Sequence, residues 1–181
     1  MAADKVKERL RRATQALDAA GVAYAVAGGN AVAEWVGRID EDAVRNTRDI
    51  DLLIRRADLP PARAALEAAG FVYHHLLDID TFIDGPQGKP SGGIHILFAG
   101  EKVRRDDEHA LPDLDESERA TGFQVAALEA LVRMKLTAWR DKDRTHLRDM
   151  IGVGLVDATW PARLPPALGA RLQQLLDDPH G

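Results

Sequence analysis

The feature that most constrains the fold is a short apolar run that ends in two adjacent glycines. Residues 23–27 (Ala-Tyr-Ala-Val-Ala) have the length and composition of a buried strand. Gly28-Gly29-Asn30 interrupts this run, and helically spaced apolar residues resume over 31–36. The segment predicts a strand, a glycine turn and a helix. It is either an ordinary turn or one whose bare backbone and free amide groups bind a phosphate.

A second predicted strand begins with two carboxylates. Residues 49–54 (Asp-Ile-Asp-Leu-Leu-Ile) are rich in branched side chains, which favour a strand. Side chains alternate along a strand, so Asp49 and Asp51 point to the same face. Mg²⁺ binds through one or two carboxylates plus substrate phosphates. The pair therefore predicts either a Mg²⁺ site beside the glycine turn or two solvated carboxylates at the start of a strand.

The remaining patterns predict a small mixed sheet covered by helices. Helical spacing covers 5–20, 58–69, 125–139 and 163–176, and strand patterns cover 71–77, 81–83 and 94–98, the last of the predicted strands. This order predicts an α+β fold in which a small mixed β-sheet is flanked by helices and followed by a C-terminal helical segment. We expect an α/β core in residues 1–118 and a helical subdomain packed on it in residues 119–181.

Composition excludes several classes of protein. The 181 residues include 24 Lys and Arg against 29 Asp and Glu, and the net charge of −5 argues against a nonspecific nucleic-acid binder. The absence of cysteine excludes disulfides, thiolate metal sites and a cysteine nucleophile. No run approaches the roughly 20 apolar residues of a membrane span. We therefore expect a cytoplasmic protein of one compact domain with no membrane partner.

One lysine lies inside an apolar helical stripe. At about 100° per residue, Lys135 falls about 20° from Leu128, among the apolar side chains of the helix predicted over 125–139. Such a lysine either reaches solvent, forms a structural ion pair or meets a ligand phosphate. The charged run at 140–143 is typical of a solvated helix end. His74-His75 lacks the spacing to a third ligand that a zinc site needs.

Three segments together resemble a known family. They are Ala27-Gly28-Gly29-Asn30, the stretch 47–54 that contains the two aspartates, and the stretch 134–143. Their order and spacing resemble the nucleotidyltransferase superfamily with the DNA polymerase beta type fold, in particular AbiEii-type toxins and minimal nucleotidyltransferases. The resemblance spans about residues 22 to 150. It implies that Gly28, Gly29, Asn30 and Lys135 bind a nucleoside triphosphate, that Asp49 and Asp51 hold Mg²⁺, and that Asp143 belongs to the helical part closing over the nucleotide.

The sequence departs from this family at two positions. Active members carry a third carboxylate on a later strand, where this chain has His95, and many relatives have serine where this chain has Asn30. Either the site uses one metal, or His95 is the base for the attacking hydroxyl, or the chain has lost activity. Asp78 and Asp80 are candidate substitutes for the missing carboxylate.

The resemblance implies a Mg²⁺-dependent nucleotidyltransferase. Such an enzyme moves a nucleoside monophosphate from a triphosphate to a hydroxyl of a small molecule, an RNA or a protein, and Asp49, Asp51 and His95 would be its catalytic residues. The first alternative is an inactive descendant that binds nucleotide or a cognate partner protein, in a toxin–antitoxin pair or as a sensor. The second is another Asp-X-Asp enzyme, either a phosphohydrolase with an aspartyl nucleophile or a sugar transferase.

Overall fold

A seven-stranded mixed sheet forms the centre of the protein. The computed structural model describes residues 2–178. Along the sheet the strand order is β3-β4-β5-β2-β1-β7-β6. The β1–β7 and β2–β5 pairs are parallel, and the other neighbours are antiparallel. The strands are β1 (Ala25–Ala27), β2 (Ile50–Ile54), β3 (Phe71–Leu76), β4 (Ile79–Asp84), β5 (Ile94–Phe98), β6 (Ser117–Arg119) and β7 (Gln124–Ala126).

The six α-helices of residues 2–178 complete two apolar cores. The helices are α1 (Ala2–Ala19), α2 (Gly28–Gly37), α3 (Leu59–Ala68), α4 (Leu128–Ala138), α5 (Asp141–Gly152) and α6 (Pro166–Asp177). The first core joins α1 and α3 to one face of the central strands, around Leu17, Leu52 and Phe82. The second core joins α2, α4, α5 and α6, around Leu136 and Leu147. None of the helices in residues 2–178 has the length and apolarity to cross a bilayer.

Alternation along the strands separates the core face of the sheet from the face that carries polar groups. Alternate residues of β2 and β5, from Ile50 and Ile94 onward, point into the first core. Asp51 and His95 therefore point to the opposite face, which we call the site face. Farther along this face, Leu53 packs against Leu114. The predicted α+β class and mixed sheet are confirmed.

The sequence prediction was wrong about where the sheet ends. It placed the last strand at 94–98, but β6 and β7 follow, and β7 pairs in parallel with β1. The helix predicted over 125–139 begins at Leu128 because Val125 belongs to β7, and it ends at Ala138 because Trp139 has left-handed backbone. The boundary predicted after residue 118 falls within β6, and the division into two units stays a prediction.

Candidate active site

A row of residues on three neighbouring strands builds the site. Strand register places Ala27 beside Asp51 and Asp51 beside His95. Neighbouring strands lie about 4.8 Å apart, so the three side chains follow one another across the site face. The Nδ1 atom of His95 lies 3.5 Å from Oδ1 of Asp51. The imidazole thus occupies the strand position next to Asp51.

The charges around Asp51 keep it ionised. Burial by itself would raise the pKa of the Asp51 carboxyl group, but His95, Lys135 and Lys142 outweigh burial and hold this pKa below its usual value. A hydrogen-bonding interaction with Asp51 is the largest influence on the pKa of His95 and raises it. Burial lowers this pKa, but the charges of Asp51 and Asp49 raise it further, so the net shift is upward. When His95 is protonated, the two side chains form an ion pair.

The glycine turn lies directly against Asp51. Gly28 follows β1, begins α2 and has φ of +62°, a conformation that other residues rarely adopt. A Cβ atom built on Gly28 would lie 1.8 Å from Oδ2 of Asp51, so any larger residue here would displace that carboxylate. A Cβ atom on Gly29 would lie 2.8 Å from Oγ1 of Thr47. The first amide groups of α2, which have no partner within the helix, thus start beside a carboxylate.

Hydrogen bonds from two other segments fix the backbone around Asp49. Asp49 Oδ1 accepts a hydrogen bond of 2.9 Å from the Gly92 amide, and the Asp49 carbonyl accepts one of 2.7 Å from Asn30 Nδ2. The Arg9 guanidinium in α1 donates to the carbonyls of Gly92 and Arg48, which precede the two strands of the site. Asn30, expected to bind nucleotide, therefore also has a structural role, because its side-chain amide holds the backbone at Asp49, just before β2.

Lys135 forms a buried ion pair near the site. Only 5% of its side chain is exposed, and its Nζ lies 3.1 Å from Oδ1 of Asp143, of which 1% is exposed. Burial lowers the pKa of Lys135, while Asp143 and then Asp51 act in the opposite direction. Asp143 also accepts a hydrogen bond of 2.7 Å from Nε of Arg140. The structural ion pair expected as one alternative for Lys135 is present, and its contact with a ligand phosphate stays a prediction.

The interpretation of 140–143 as a solvated helix end is confirmed for Arg140, Asp141 and Lys142, which are exposed, and is wrong for Asp143. These residues start α5 and bury Asp143. Lys142, exposed on the first turn of α5, affects the pKa values of both Asp51 and His95 and so lies within electrostatic reach of them. Sequence reasoning placed Lys142 in the family-like motif but gave it no role.

Comparison with solved structures identifies the fold, whereas the sequence matches no protein-family model and no curated protein. An antigenic nucleotidyltransferase-like protein from Paracoccidioides brasiliensis superposes with a TM-score of 0.63 at 20% identity, over 98% of this chain and 89% of that one. The antibiotic-resistance factor ANT(2'')-Ia in solution gives 0.60 at 16% identity, over 97% and 92%. Its crystal structure with adenylyl-2''-tobramycin gives 0.59 at 16%, over 94% and 98%. This chain has the nucleotidyltransferase fold.

Within the nucleotidyltransferase fold of this chain, neither candidate substitute for the third carboxylate lies beside Asp51. Asp80 points to the core side of β4, is 4% exposed and accepts hydrogen bonds from the Tyr73 hydroxyl and, at 2.9 Å, from Nδ1 of His75. Asp78 lies in the turn between β3 and β4. It is three residues, or about 10 Å, from Thr81, the residue of β4 that pairs with His95. The site face therefore presents an imidazole where relatives are expected to have a carboxylate.

The donor set of this nucleotidyltransferase fold suits a metal that arrives with its substrate. Within residues 2–178, no cluster of three or more His, Asp or Glu side chains is arranged to hold a metal ion. Asp49 and Asp51 supply two carboxylates, and Gly28 brings the start of α2 against the carboxylate of Asp51. Mg²⁺ binds in this manner, with water and substrate phosphates completing its six ligands. These two aspartates are the residues that could hold Mg²⁺.

Proposed function

We propose that this protein transfers a nucleoside monophosphate from a nucleoside triphosphate to a hydroxyl group of an acceptor, with pyrophosphate leaving. The observation that supports this most directly is the close approach of Gly28 to Asp51. It places the unpaired amide groups at the start of α2 next to a partly exposed carboxylate. Helix amides attract phosphate, whereas a carboxylate repels it. A site with both groups suits a phosphate that arrives with a divalent cation.

Each residue of the site has a distinct role in this proposal. Asp49 and Asp51 hold Mg²⁺, which when bound neutralises charge on the triphosphate and polarises the phosphoryl group under attack. The amides at Gly28 and Gly29 bind phosphate oxygens. Lys135 and Lys142 lie within electrostatic reach of Asp51 and offset the charge that develops on the leaving pyrophosphate.

His95 is the proposed proton acceptor. The acceptor oxygen forms a bond to the α-phosphorus, the bond from that phosphorus to the oxygen bridging to the β-phosphate breaks, and pyrophosphate leaves with the electron pair. The hydroxyl proton passes to Nε2 of His95, because Nδ1 lies towards Asp51. Asp51 orients the ring and stabilises the imidazolium that forms.

A transfer assay tests this proposal. The protein is incubated with Mg²⁺ and each α-labelled nucleoside triphosphate, in a bacterial lysate and separately with tobramycin, whose adenylylated form is bound in one of the compared ANT(2'')-Ia structures. Label is followed into protein, RNA and small molecules. Asp51→Asn should abolish transfer, whereas the matched Asp80→Asn, on the opposite face of the sheet, should retain it. Transfer that survives in Asp51→Asn would contradict the proposal.

A second candidate is a protein that binds nucleotide without transferring it. The imidazole of His95 at the position of the third carboxylate favours this alternative, because it adds no negative charge for a second metal ion. His95→Asp distinguishes the two. Transfer in the native protein supports the enzyme, whereas Mg²⁺-dependent transfer found only in His95→Asp would support the binding protein.

A further inference from the structure

The site face continues outward beyond His95 onto two more strands. Register places Thr81 of β4 beside His95, and His74 of β3 beside Thr81. The row that begins at Ala27 thus crosses five strands of the sheet on one face. Neighbouring strands are about 4.8 Å apart, so Thr81 lies about one strand spacing from His95, and His74 lies about two.

The outer end of this row presents an exposed apolar surface. On the site face of the β3–β4 hairpin, Leu76 is 71% exposed and Ile79 is 54% exposed, and they face each other in register. His74 is also exposed. The hairpin carries three of the five large apolar side chains that are strongly exposed in residues 2–178, the third being Leu77 at its tip. We call Thr81, His74, Ile79 and Leu76 the outer platform.

The opposite face of the same hairpin is largely covered, although His75 near the tip is 53% exposed. Phe71 and Phe82 belong to the first core, and the guanidinium groups of Arg12 and Arg63 lie over the rings of Phe71 and Tyr73. On the side that continues the candidate site, Leu76 and Ile79 stay exposed. A contiguous exposed apolar patch next to a reactive centre is typical of a ligand-binding surface.

The direction of the proposed reaction specifies which substrate occupies this surface. In phosphoryl transfer the attacking and leaving oxygens lie roughly in line on opposite sides of the phosphorus. The glycine turn follows β1, on one side of β2, whereas His95 lies on β5, on its other side. If the glycine turn holds the β- and γ-phosphates, which depart as pyrophosphate, then the acceptor approaches from the opposite side, beyond His95.

The chemistry of the outer platform then defines the class of acceptor. Every side chain that β3 and β4 place on the site face is apolar, a threonine or a histidine, and the nearby Asp80 points to the other face. A polycationic acceptor would meet no carboxylate on these strand positions, and the exposed Asp78 lies in the turn beyond Leu76 and Ile79. We propose, as an extension of the function proposed above, that the outer platform binds the apolar or aromatic body of a small uncharged alcohol, whose hydroxyl group reaches His95.

Chemical-shift mapping tests this inference on the whole protein with 4-nitrobenzyl alcohol as probe. With Mg²⁺ and a non-hydrolysable triphosphate analogue present, the probe should shift the amide signals of Thr81, Ile79 and His74 saturably. Ile79→Glu should weaken probe binding roughly tenfold, because burial of an isoleucine side chain against the probe is lost and a charge is introduced. The matched control is Ile39→Glu. Ile39 is 58% exposed and lies beyond the end of α2 remote from the glycine turn, so this variant should bind the probe as the native protein does.

The outcomes separate this inference from the function on which it rests. Analogue binding is followed in the same samples through the amide signals of Gly28 and Asp51. If the analogue binds but the probe shifts no platform signal, or binds Ile79→Glu unchanged, the outer platform is refuted and the transferase proposal stands. Tighter binding of tobramycin than of the probe to the same amides would refute the assigned acceptor class. Failure of the analogue itself to bind would contradict the proposed function.

Discussion

Replacing Gly28 with alanine tests the contact on which the proposed site depends. The variant carries two separable costs. The first is conformational, because Gly28 has φ of +62° and an L-residue in the left-handed region costs about 1–2 kcal/mol. The second is steric, because the new Cβ atom would lie 1.8 Å from Oδ2 of Asp51.

A matched glycine isolates the steric part. Gly21 has φ of +66°, and a Cβ atom there would meet nothing within 4 Å, so Gly21→Ala carries only the conformational cost. Real Cβ atoms essentially never approach another heavy atom within 3.0 Å, so Gly28→Ala must displace the Asp51 oxygen by at least about 1.2 Å. Rotating a side chain away from its rotamer costs about 0.5–1.5 kcal/mol, and the ion pair with His95 is weakened as well.

Urea denaturation and calorimetric titration of Mg²⁺-triphosphate measure the two effects. Gly21→Ala should lower the free energy of unfolding by about 1–2 kcal/mol and leave triphosphate binding unchanged. Gly28→Ala should lower it by about 2–3 kcal/mol and abolish triphosphate binding. If Gly28→Ala were as stable as Gly21→Ala and bound triphosphate equally well, the close approach of Gly28 to Asp51 would have no functional importance.

Three further predictions concern the charged groups around the site. Lys135→Met should lower the free energy of unfolding by about 3 kcal/mol in urea, because it leaves Asp143 buried with fewer partners; a loss below about 1 kcal/mol would refute this. Burial, followed by the charge of Lys135, lowers the pKa of His146 to about 4, so the unfolded chain binds this proton more readily and stability falls as pH drops below about 6.5. Between pH 7 and pH 5 the native protein should therefore lose about 2 kcal/mol more than His146→Gln, and equal losses would contradict the assignment. The transfer rate should rise with pH to a plateau as His95 loses its proton, and this dependence should disappear in His95→Gln.

The sequence was most informative where local patterns and backbone chemistry coincide. The glycine turn and the 94–98 strand are present, and the strand predicted from Asp49 is present from Ile50, because each depends on a short apolar run with clear ends. The prediction that Lys135 lies inside an apolar stripe is confirmed by its burial. Helical periodicity locates a side chain on its own helix, and that was sufficient here.

Features that depend on distant partners were missed. The β6 and β7 strands have three residues each, too few to show alternation, and β7 is held by its parallel pairing with β1. Charged residues near a helix start suggest a solvated surface, but Asp143 is buried because Lys135 comes from another helix to meet it. Whether Asp80 joined the site depended on its strand's register, which puts it on the opposite face of the sheet.

Paramagnetic broadening by Mn²⁺ tests most directly whether Asp49, Asp51 and the glycine turn form one metal-triphosphate site. Mn²⁺ takes the same oxygen ligands as Mg²⁺ and broadens the amide signals of residues near it. With triphosphate present, the signals of Gly28, Asp51 and His95 should broaden first in the native protein and stay sharp in Asp51→Asn. Broadening centred on another part of the chain, or its persistence in Asp51→Asn, would contradict the proposed site.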